Sequence, residues 1–496
     1  MATQTKFLGL TKPDPTDFVD VADLNANMDA LDEAIEELST TDISSATVAL
    51  GGALTYNGSA RTKTVNSVTL ASKTLIAGTD YVVSGNSATN AGTYTLVITG
   101  IGKYKGSLAR IWEIAKANGS VSVSPSSVNM TGAIGMTRSI TVTRSGDGAI
   151  SATSNNSAVA QVSVSGTTLT VKAVGSGSAL ITVNVGNGTN HKATSCTLNV
   201  SALVADGTLN NNSWEVIRAI SDAGVGGSIW SVGATKEVPL EGTVGTLELS
   251  SKLWAFIIGF NHNASREGAN KIHFQGFKTA QSGGTDVGLV DKGYGNYYTD
   301  GTKYFNMNHW GNYNYGGWAA SDLRYDVLGS TNVAPTNYGS ARTSGDSGNN
   351  ATATCATNPV AGTLMAALPA DLRAVMKPIT KYSDNVGGGT GNVTGNVTAT
   401  VDYLPLLSEY EIHGARSYAN SYEQNYQAQY TYYANGNSRI KYQHSAVSTA
   451  AVWWSRSCGY GNFFCYTGTD GSRNHAYARN SRALAPDFAT FLKREQ

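Results

Sequence analysis

Near the start of the chain, apolar residues recur at Val21, Leu24, Met28, Leu31, Ile35 and Leu38, with spacings of 3, 4, 3, 4 and 3. Acidic and amide residues fill the positions between. A helix with one narrow apolar stripe fits this pattern, and Pro13-Asp-Pro-Thr16 just before it is a turn and helix-start signal. Two readings stay open for the stripe: an amphipathic helix packed on its own chain, or a short parallel coiled coil joining subunits. Val, Met and Ile fill one seam position and Leu the other, an arrangement that leans toward two strands.

Beyond this helix the period changes to two. Thr93 to Gly100 places Tyr94, Leu96 and Ile98 on one face of a half-buried strand. Short strands separated by Gly, Asn and Asp turns recur through residues 43–117, as in a β-sandwich. Residues 118–203 repeat the theme. There Ser139-Ile-Thr-Val-Thr143 alternates, and Val162 to Val185 reads as three strands broken at Ser165-Gly166 and Gly175-Ser176-Gly177. Residues 204–496 lose this regularity. Helical stretches are expected at Ser213–Ala223 and Leu364–Met376, with long Gly/Asn/Ser/Thr loops near 330–352 and 385–398. Seven of the eight Trp lie here. This region reads as one large α+β domain whose core leans on aromatic side chains.

Charge narrows the function classes. Lys plus Arg number 35 and Asp plus Glu 35, for a formal net charge of zero. Nucleic-acid binders are basic overall or carry a basic stripe, so no nucleic-acid partner is expected. Charged residues make up only 14% of the chain, and Gly, Ser, Thr and Asn take their place. Such a surface suits an extracellular β-rich protein. No run approaches the ~18–20 apolar residues of a membrane span, so no membrane insertion is expected. The segment Met1 to Leu10 lacks the basic start, apolar core and cleavage site of a secretory signal.

Candidate chemistry is sparse. The seven His are dispersed without an H-E-x-x-H pattern, although His262 and His273 could meet across two strands. There is no G-x-S-x-G elbow, and the carboxylates are too diffuse to nominate a glycosidase pair. Cys458 and Cys465 are the only neighbouring cysteines, and they are either a local disulfide or two unrelated thiols. These observations lead to the expectation of no enzyme activity, no cofactor and no metal. The Tyr distribution is more informative: 12 of the 25 lie between Tyr403 and Tyr477, interleaved with Asn, Ser, Gly and His. Rigid amphipathic Tyr and small polar residues are the composition of a binding surface.

Several strings carry resemblances. Leu54-Thr-Tyr-Asn-Gly58, Lys73-Thr-Leu-Ile-Ala-Gly-Thr-Asp-Tyr81 and Gly100-Ile-Gly-Lys-Tyr-Lys-Gly106 resemble a bacterial immunoglobulin-like module. Ala158 to Gly175 is similar to the group 2 bacterial immunoglobulin-like family. The combination of Ser213-Trp214, Val238-Pro-Leu-Glu-Gly242, Phe256-Ile-Ile-Gly-Phe-Asn-His262, Lys377-Pro-Ile-Thr-Lys381, Leu407-Ser-Glu409 and Trp453-Trp-Ser-Arg-Ser457 resembles a C-terminal domain of phage tail proteins. That domain has the C-type-lectin-like fold shared with formylglycine-generating enzymes and with targets of diversity-generating retroelements. Gly9 to Ile35 looks like the attachment end of siphophage fibres.

These resemblances imply a multidomain fold class. An N-terminal attachment and oligomerisation helix (1–42) would form a coiled coil. A bacterial immunoglobulin-like domain (43–117), a group 2 immunoglobulin-like domain (118–203) and an α+β C-type-lectin-like receptor-binding domain (204–496) would follow. They further imply a phage tail-fibre adhesin, located in the virion, assembled in the host cytoplasm and acting outside the cell. By analogy with fibres it would be a homotrimer, contacting other tail proteins through its N-terminus and a bacterial surface receptor, protein or glycan, through its head. In retroelement-diversified relatives the segment after Trp-Trp-x-Arg-Ser is the hypervariable ligand face. Here that face would comprise Tyr460, Asn462, Phe463, Tyr466, Asn474, His475, Tyr477, Arg479 and Asn480. The terminal Arg482-Ala-Leu-Ala-Pro-Asp-Phe488 departs from the usual Gly-Val-Arg-Pro-Ala ending. Two alternatives accompany this reading: a formylglycine-generating-like or other surface-modifying enzyme on the same fold, and a structural tail protein that binds nothing.

Overall fold

The computed structural model describes residues 3–16, 18 and 20–490, without the side chains of 36–38. The chain is a β-rich, multidomain protein. Among the described residues no helix is long and apolar enough to cross a membrane.

Helix α1 (Val21–Ser39) opens on Asp20, whose carboxylate accepts from the Ala22 N–H and caps the first turn. Asn27 ties the helix to the preceding chain by accepting from Thr11 N and donating to Thr11 O. The apolar stripe is not packed on this chain. Val21, Leu24, Met28, Leu31 and Ile35 are 38–68% exposed. The side chain of Leu38, last in the expected stripe, lies outside the described residues.

Two sandwich-like units follow. In the first, a sheet ordered Leu54–Thr55, Ser107–Ala115, Gly92–Gly100, Tyr81–Ser84 shares a buried core with a sheet built from Thr47–Leu50, Val65–Leu70 and Lys73–Thr74. Leu96 and Ile98 are fully buried, while Tyr94 is half-buried against Trp112 at 5.0 Å between ring centroids. In the second unit, Ala160–Ser165, Thr168–Ala173 and Gly177–Val185 are separate strands, divided at the two glycine breaks. Two four-stranded sheets enclose Met130, Ile140, Leu169, Val171, Ile181, Val183 and Leu198. The strand Thr194–Ala205 runs past residue 203 without a break. Val204 lies in the core of this unit and Ala205 in the core of the next.

In the third region we label the elements that position the site. Helix α2 (Trp214–Asp222) starts at Ser213, whose hydroxyl accepts from Val216 N, and buries Trp214, Ile217 and Ile220. Trp214 meets Phe274 and Phe488 edge-on at 5.4 and 6.1 Å. The main sheet runs β1 (Thr235–Val244), β2 (Leu247–Phe260), β3 (Ile272–Lys278), β4 (Asp286–Gly288), β7 (Lys441–Gln443) and β8 (Ala446–Ala451), while β5 (Ile379–Asp384) and β6 (Val397–Asp402) form a separate hairpin. A separate three-stranded sheet consists of β9 (Trp453–Cys458), β10 (Phe463–Thr467) and β11 (Arg473–Tyr477). The last strand, β12 (Asp487–Thr490), returns to pair with β3.

One element differs from expectation. Leu364–Met376 is not a single helix but two short ones, Leu364–Ala367 and Ala370–Val375. Pro369 between them lacks an N–H and disfavours helical geometry at Leu368, so the chain must break there.

Candidate functional site

All six residues of β9 are buried. Trp453 donates from its indole to Arg439 O and Trp454 to Phe305 O, so both rings belong to the core. Arg456 grips Glu411 of α3 (Glu409–His413) through both guanidinium ends, with Nη2 2.9 Å from Oε1. It also donates to Ser383 Oγ and Leu406 O. Lys381 of β5 completes the network. Its Nζ lies 3.0 Å from Glu267, 3.2 Å from Glu411, 3.2 Å from Asp487 and 2.8 Å from the Tyr430 hydroxyl. Burial alone would lower the Lys381 pKa, but the three carboxylates outweigh it and hold it above the ordinary lysine value. Burial would raise Glu411, yet Arg456 and Lys381 hold it well below the usual carboxylate range. Asp487 is likewise held at about 2, mainly by Lys381 and His273 against the effect of burial. Three carboxylates face two cations, and the surplus falls on Glu267, whose pKa burial raises.

His262 and His273 do meet, with ring centroids 5.7 Å apart and Tyr430 stacked on His262 at 3.5 Å. Ligand atoms of His262, Glu267 and Glu411 lie within 4.8 Å of one another, a spacing that could hold a metal ion. The Lys381 ammonium already sits between the two glutamates, so the protein supplies its own cation there. Cys458 and Cys465 are free, buried thiols whose pKa burial raises well above the ordinary value. A reactive thiol needs the opposite shift.

None of the nine residues expected on the ligand face is buried. Tyr460, in the turn after β9, is 74% exposed and Tyr477 42%. The face is not one surface, however. In the β10–β11 register Phe463 opposes Tyr477, Cys465 opposes His475 and Tyr466 opposes Asn474. Successive side chains alternate across a sheet, so Phe463, His475 and Tyr477 share one side and Tyr466 and Asn474 the other. On the first side Phe463 lies 4.4 Å from His475 and 4.6 Å from Tyr477 between ring centroids. Arg479 continues the row, over Tyr477 at 5.5 Å and Tyr297 at 4.4 Å. Tyr418 closes the other end, edge-on to His475 at 4.4 Å. Tyr466 packs instead against the head core, 6.4 Å from Trp454 and 5.7 Å from Arg482. Asn462 and Asn480 are half-buried at the ends of the two strands.

The result is a continuous aromatic ribbon, Tyr418–His475–Phe463–Tyr477–Arg479–Tyr297. Tyr297, 62% exposed, is a member that sequence reasoning missed, because only a contact spanning the domain joins it to Arg479. Tyr418 was signalled by the Tyr-dense stretch but not assigned to the surface. The ribbon can offer flat apolar area edged by one guanidinium, which suits ligand binding rather than bond-breaking chemistry.

Beside β9, Glu423 is buried. It accepts from Asp384 N at 2.8 Å, Ser457 Oγ at 2.6 Å and Gln427 Nε2 at 3.2 Å. Burial dominates these bonds and pushes its pKa up to about 7. The folded protein therefore keeps a proton on Glu423 at pH values where the unfolded chain has lost it. Stability from this group falls as pH rises from about 4.5 to about 7 and is flat beyond. Relative to Glu423→Gln, the native chain should lose roughly 3 kcal/mol between pH 5 and pH 8. Denaturant unfolding at the two pH values measures this, and an equal difference at both contradicts it. Arg456→Met should cost about 3–5 kcal/mol in the same assay, because it removes the two-pronged partner of the buried Glu411 carboxylate and leaves Lys381 alone to hold it. A loss under about 1 kcal/mol would mean that the pair is exposed to water.

Residues 300–489 match a family described as a domain of unknown function, DUF6273, a span that contains every residue of the ribbon except Tyr297. No curated protein matches the chain. Among solved structures the chain is similar to domains 4 and 5 of the S-layer protein SbsC, with 19% identity over 32% of this chain and 98% of that one, at a TM-score of 0.17. It is also similar to the titin Ig tandem A164-A165, with 12% identity over 32% of this chain and 95% of that one, at a TM-score of 0.15. A longer SbsC fragment, domains 4-9, shares 15% identity over 49% of this chain and 37% of that one, at a TM-score of 0.17. These are remote likenesses.

Proposed function

We propose that the chain is a receptor-binding protein of the phage tail-fibre kind, with its ligand face on the β10–β11 ribbon. In this reading α1 joins copies as a coiled coil, two immunoglobulin-like modules act as spacers, and a C-type-lectin-like head grips a bacterial surface and sets host choice. The observation that carries it is the aromatic ribbon: exposed Tyr297 and Tyr477 flank a half-buried Phe463 on a sheet whose first strand is wholly buried and ion-paired. Rigid aromatic anchors over a fixed platform bind with little loss of side-chain entropy. Residue types at 460, 462, 463, 475 and 477 match what adenine-directed diversification yields, which supports variation in this segment. Tyr466 faces the core, so it belongs to the platform and not to the contact surface.

Binding of labelled full-length protein to a panel of bacterial strains tests the reading by flow cytometry. Binding to at least one strain is expected, with a loss of about tenfold or more when Tyr460, Phe463 and Tyr477 are all changed to Ser. Tyr466→Phe should bind like the native chain. Binding to no strain, or equal binding by the triple variant, overturns the proposal, and the second result would favour a purely structural tail protein.

The exposed α1 stripe supports self-association through three heptads, and fibre architecture favours a trimer over the dimer that its seam residues lean toward. Several heads acting together would raise the effective concentration of each further contact. Light scattering should give a trimer for the full chain and a monomer for Leu24→Glu/Leu31→Glu. A native monomer at micromolar concentration overturns self-association, and a dimer overturns the trimer.

A further inference from the structure

Beside the ribbon the surface dips into a cleft of about 220 Å³. Three separate segments wall it: the loop after β5 from Asp384 to Asn392, the turn at residues 416–420, and Cys458–Tyr460 after β9. The loop is not slack. Gly387, Gly388, Gly389 and Gly391 all adopt left-handed φ, between 64° and 79°. A Cβ on Gly387 would collide with Asn314 O, and one on Gly388 with the Tyr315 ring. Gly388 N donates to Asn314 Oδ1 at 2.7 Å. Asp384 Oδ1 accepts from Val386 N and Gly387 N, and its Oδ2 accepts from Asn420 Nδ2 at 2.8 Å. The wall is therefore fixed on both sides before any ligand arrives.

Two features point to what the cleft holds. Arg416, half-buried in its lining, donates from Nη1 to Ala419 O at 3.3 Å, and among the described residues no carboxylate pairs with it. Its other guanidinium donors remain for a ligand. Tyr460, 74% exposed, and the half-buried Tyr418, whose ring also meets His475, both line the cleft and offer apolar ring surface. A fitting ligand is thus small, carries acceptors for the guanidinium, and presents an apolar patch to the rings. The Asp384 carboxylate offsets the Arg416 charge, so the cleft carries one charge of each sign and an uncharged ligand suits it better than an anion, which would lie against Asp384. The volume is below the ~300–1,000 Å³ typical of pockets for drug-sized ligands. A single pyranose meets these conditions, with hydroxyls around its edge and C–H groups on its faces.

We infer that this cleft is a subsite for one neutral hexose or N-acetylhexosamine residue of a surface glycan. The inference rests on the receptor-binding reading and deepens it. Most of the cleft lies outside the terminal stretch, so a constant sugar contact sits beside the ribbon.

Saturation-transfer NMR on the full-length protein tests it. The probes are the methyl glycosides of glucose, galactose, mannose and N-acetylglucosamine, with methyl galacturonide as the charged comparison. At least one neutral glycoside should bind with a Kd of about 1 mM or weaker. Its signal should fall about fivefold or more in both Arg416→Gln and Tyr418→Ser, and stay within about twofold in Tyr477→Ser. Transfer to no neutral glycoside, undiminished transfer in both cleft variants, or a preference for the galacturonide overturns the subsite. If the subsite fails while the triple Ser variant still loses cell binding, the receptor-binding reading stands with a protein surface as partner. If cell binding is also unaffected, both fail together.

Discussion

Arg456, Glu411, Lys381, Glu267 and Asp487 meet in a space that water does not reach, and the geometry of the head follows from their pairing. A buried ion network of this kind adds little net stability over an apolar substitute, because desolvation consumes most of the Coulombic gain. What it fixes is position. The guanidinium of Arg456 finds its carboxylate and three further acceptors, Ser383 Oγ, Leu406 O and Tyr382 O, only with β9 in one register. β9 in turn fixes β10 and β11, and the bonds that Ser457 Oγ and Asp384 N donate to Glu423 fix the start of the cleft loop. Both halves of the candidate site hang from the same few charges.

Alternation across β10 and β11 decides which aromatic residues can act. Phe463 and Tyr466 are both half-buried and only three residues apart, yet they serve opposite faces. One joins a surface row with His475 and Tyr477, and the other fills the core beside Trp454. Exposure alone would not separate them. The side of the strand does, and it turns a list of polar and aromatic residues into a surface with a direction.

The sequence was legible wherever the signal was local. The 3–4 spacing at Val21 to Ile35 marks α1, and period-two runs and glycine breaks mark the strands of residues 43–203. The apolar pattern of Leu364–Met376 points to one helix, but the single Pro369 outweighs it and divides the segment. The ion network was not legible. Its members come from positions 267, 381, 411, 456 and 487, and no spacing rule joins residues that only the fold brings together. Tyr297 and Arg416 were missed for the same reason: each matters through a neighbour distant in sequence or through a cleft that three loops share.

The strand Thr194–Ala205 begins in the second sandwich, contributes Val204 to that core, and ends with Ala205 in the core of the head. It is paired along one edge with Ser127–Ala133 in parallel and along the other with Gly177–Val185 in antiparallel. A tug on the head therefore arrives as shear, spread over two ladders of hydrogen bonds that must yield together. With no slack hinge in this stretch, a pulling force would strain the whole joint at once and would not peel it open bond by bond.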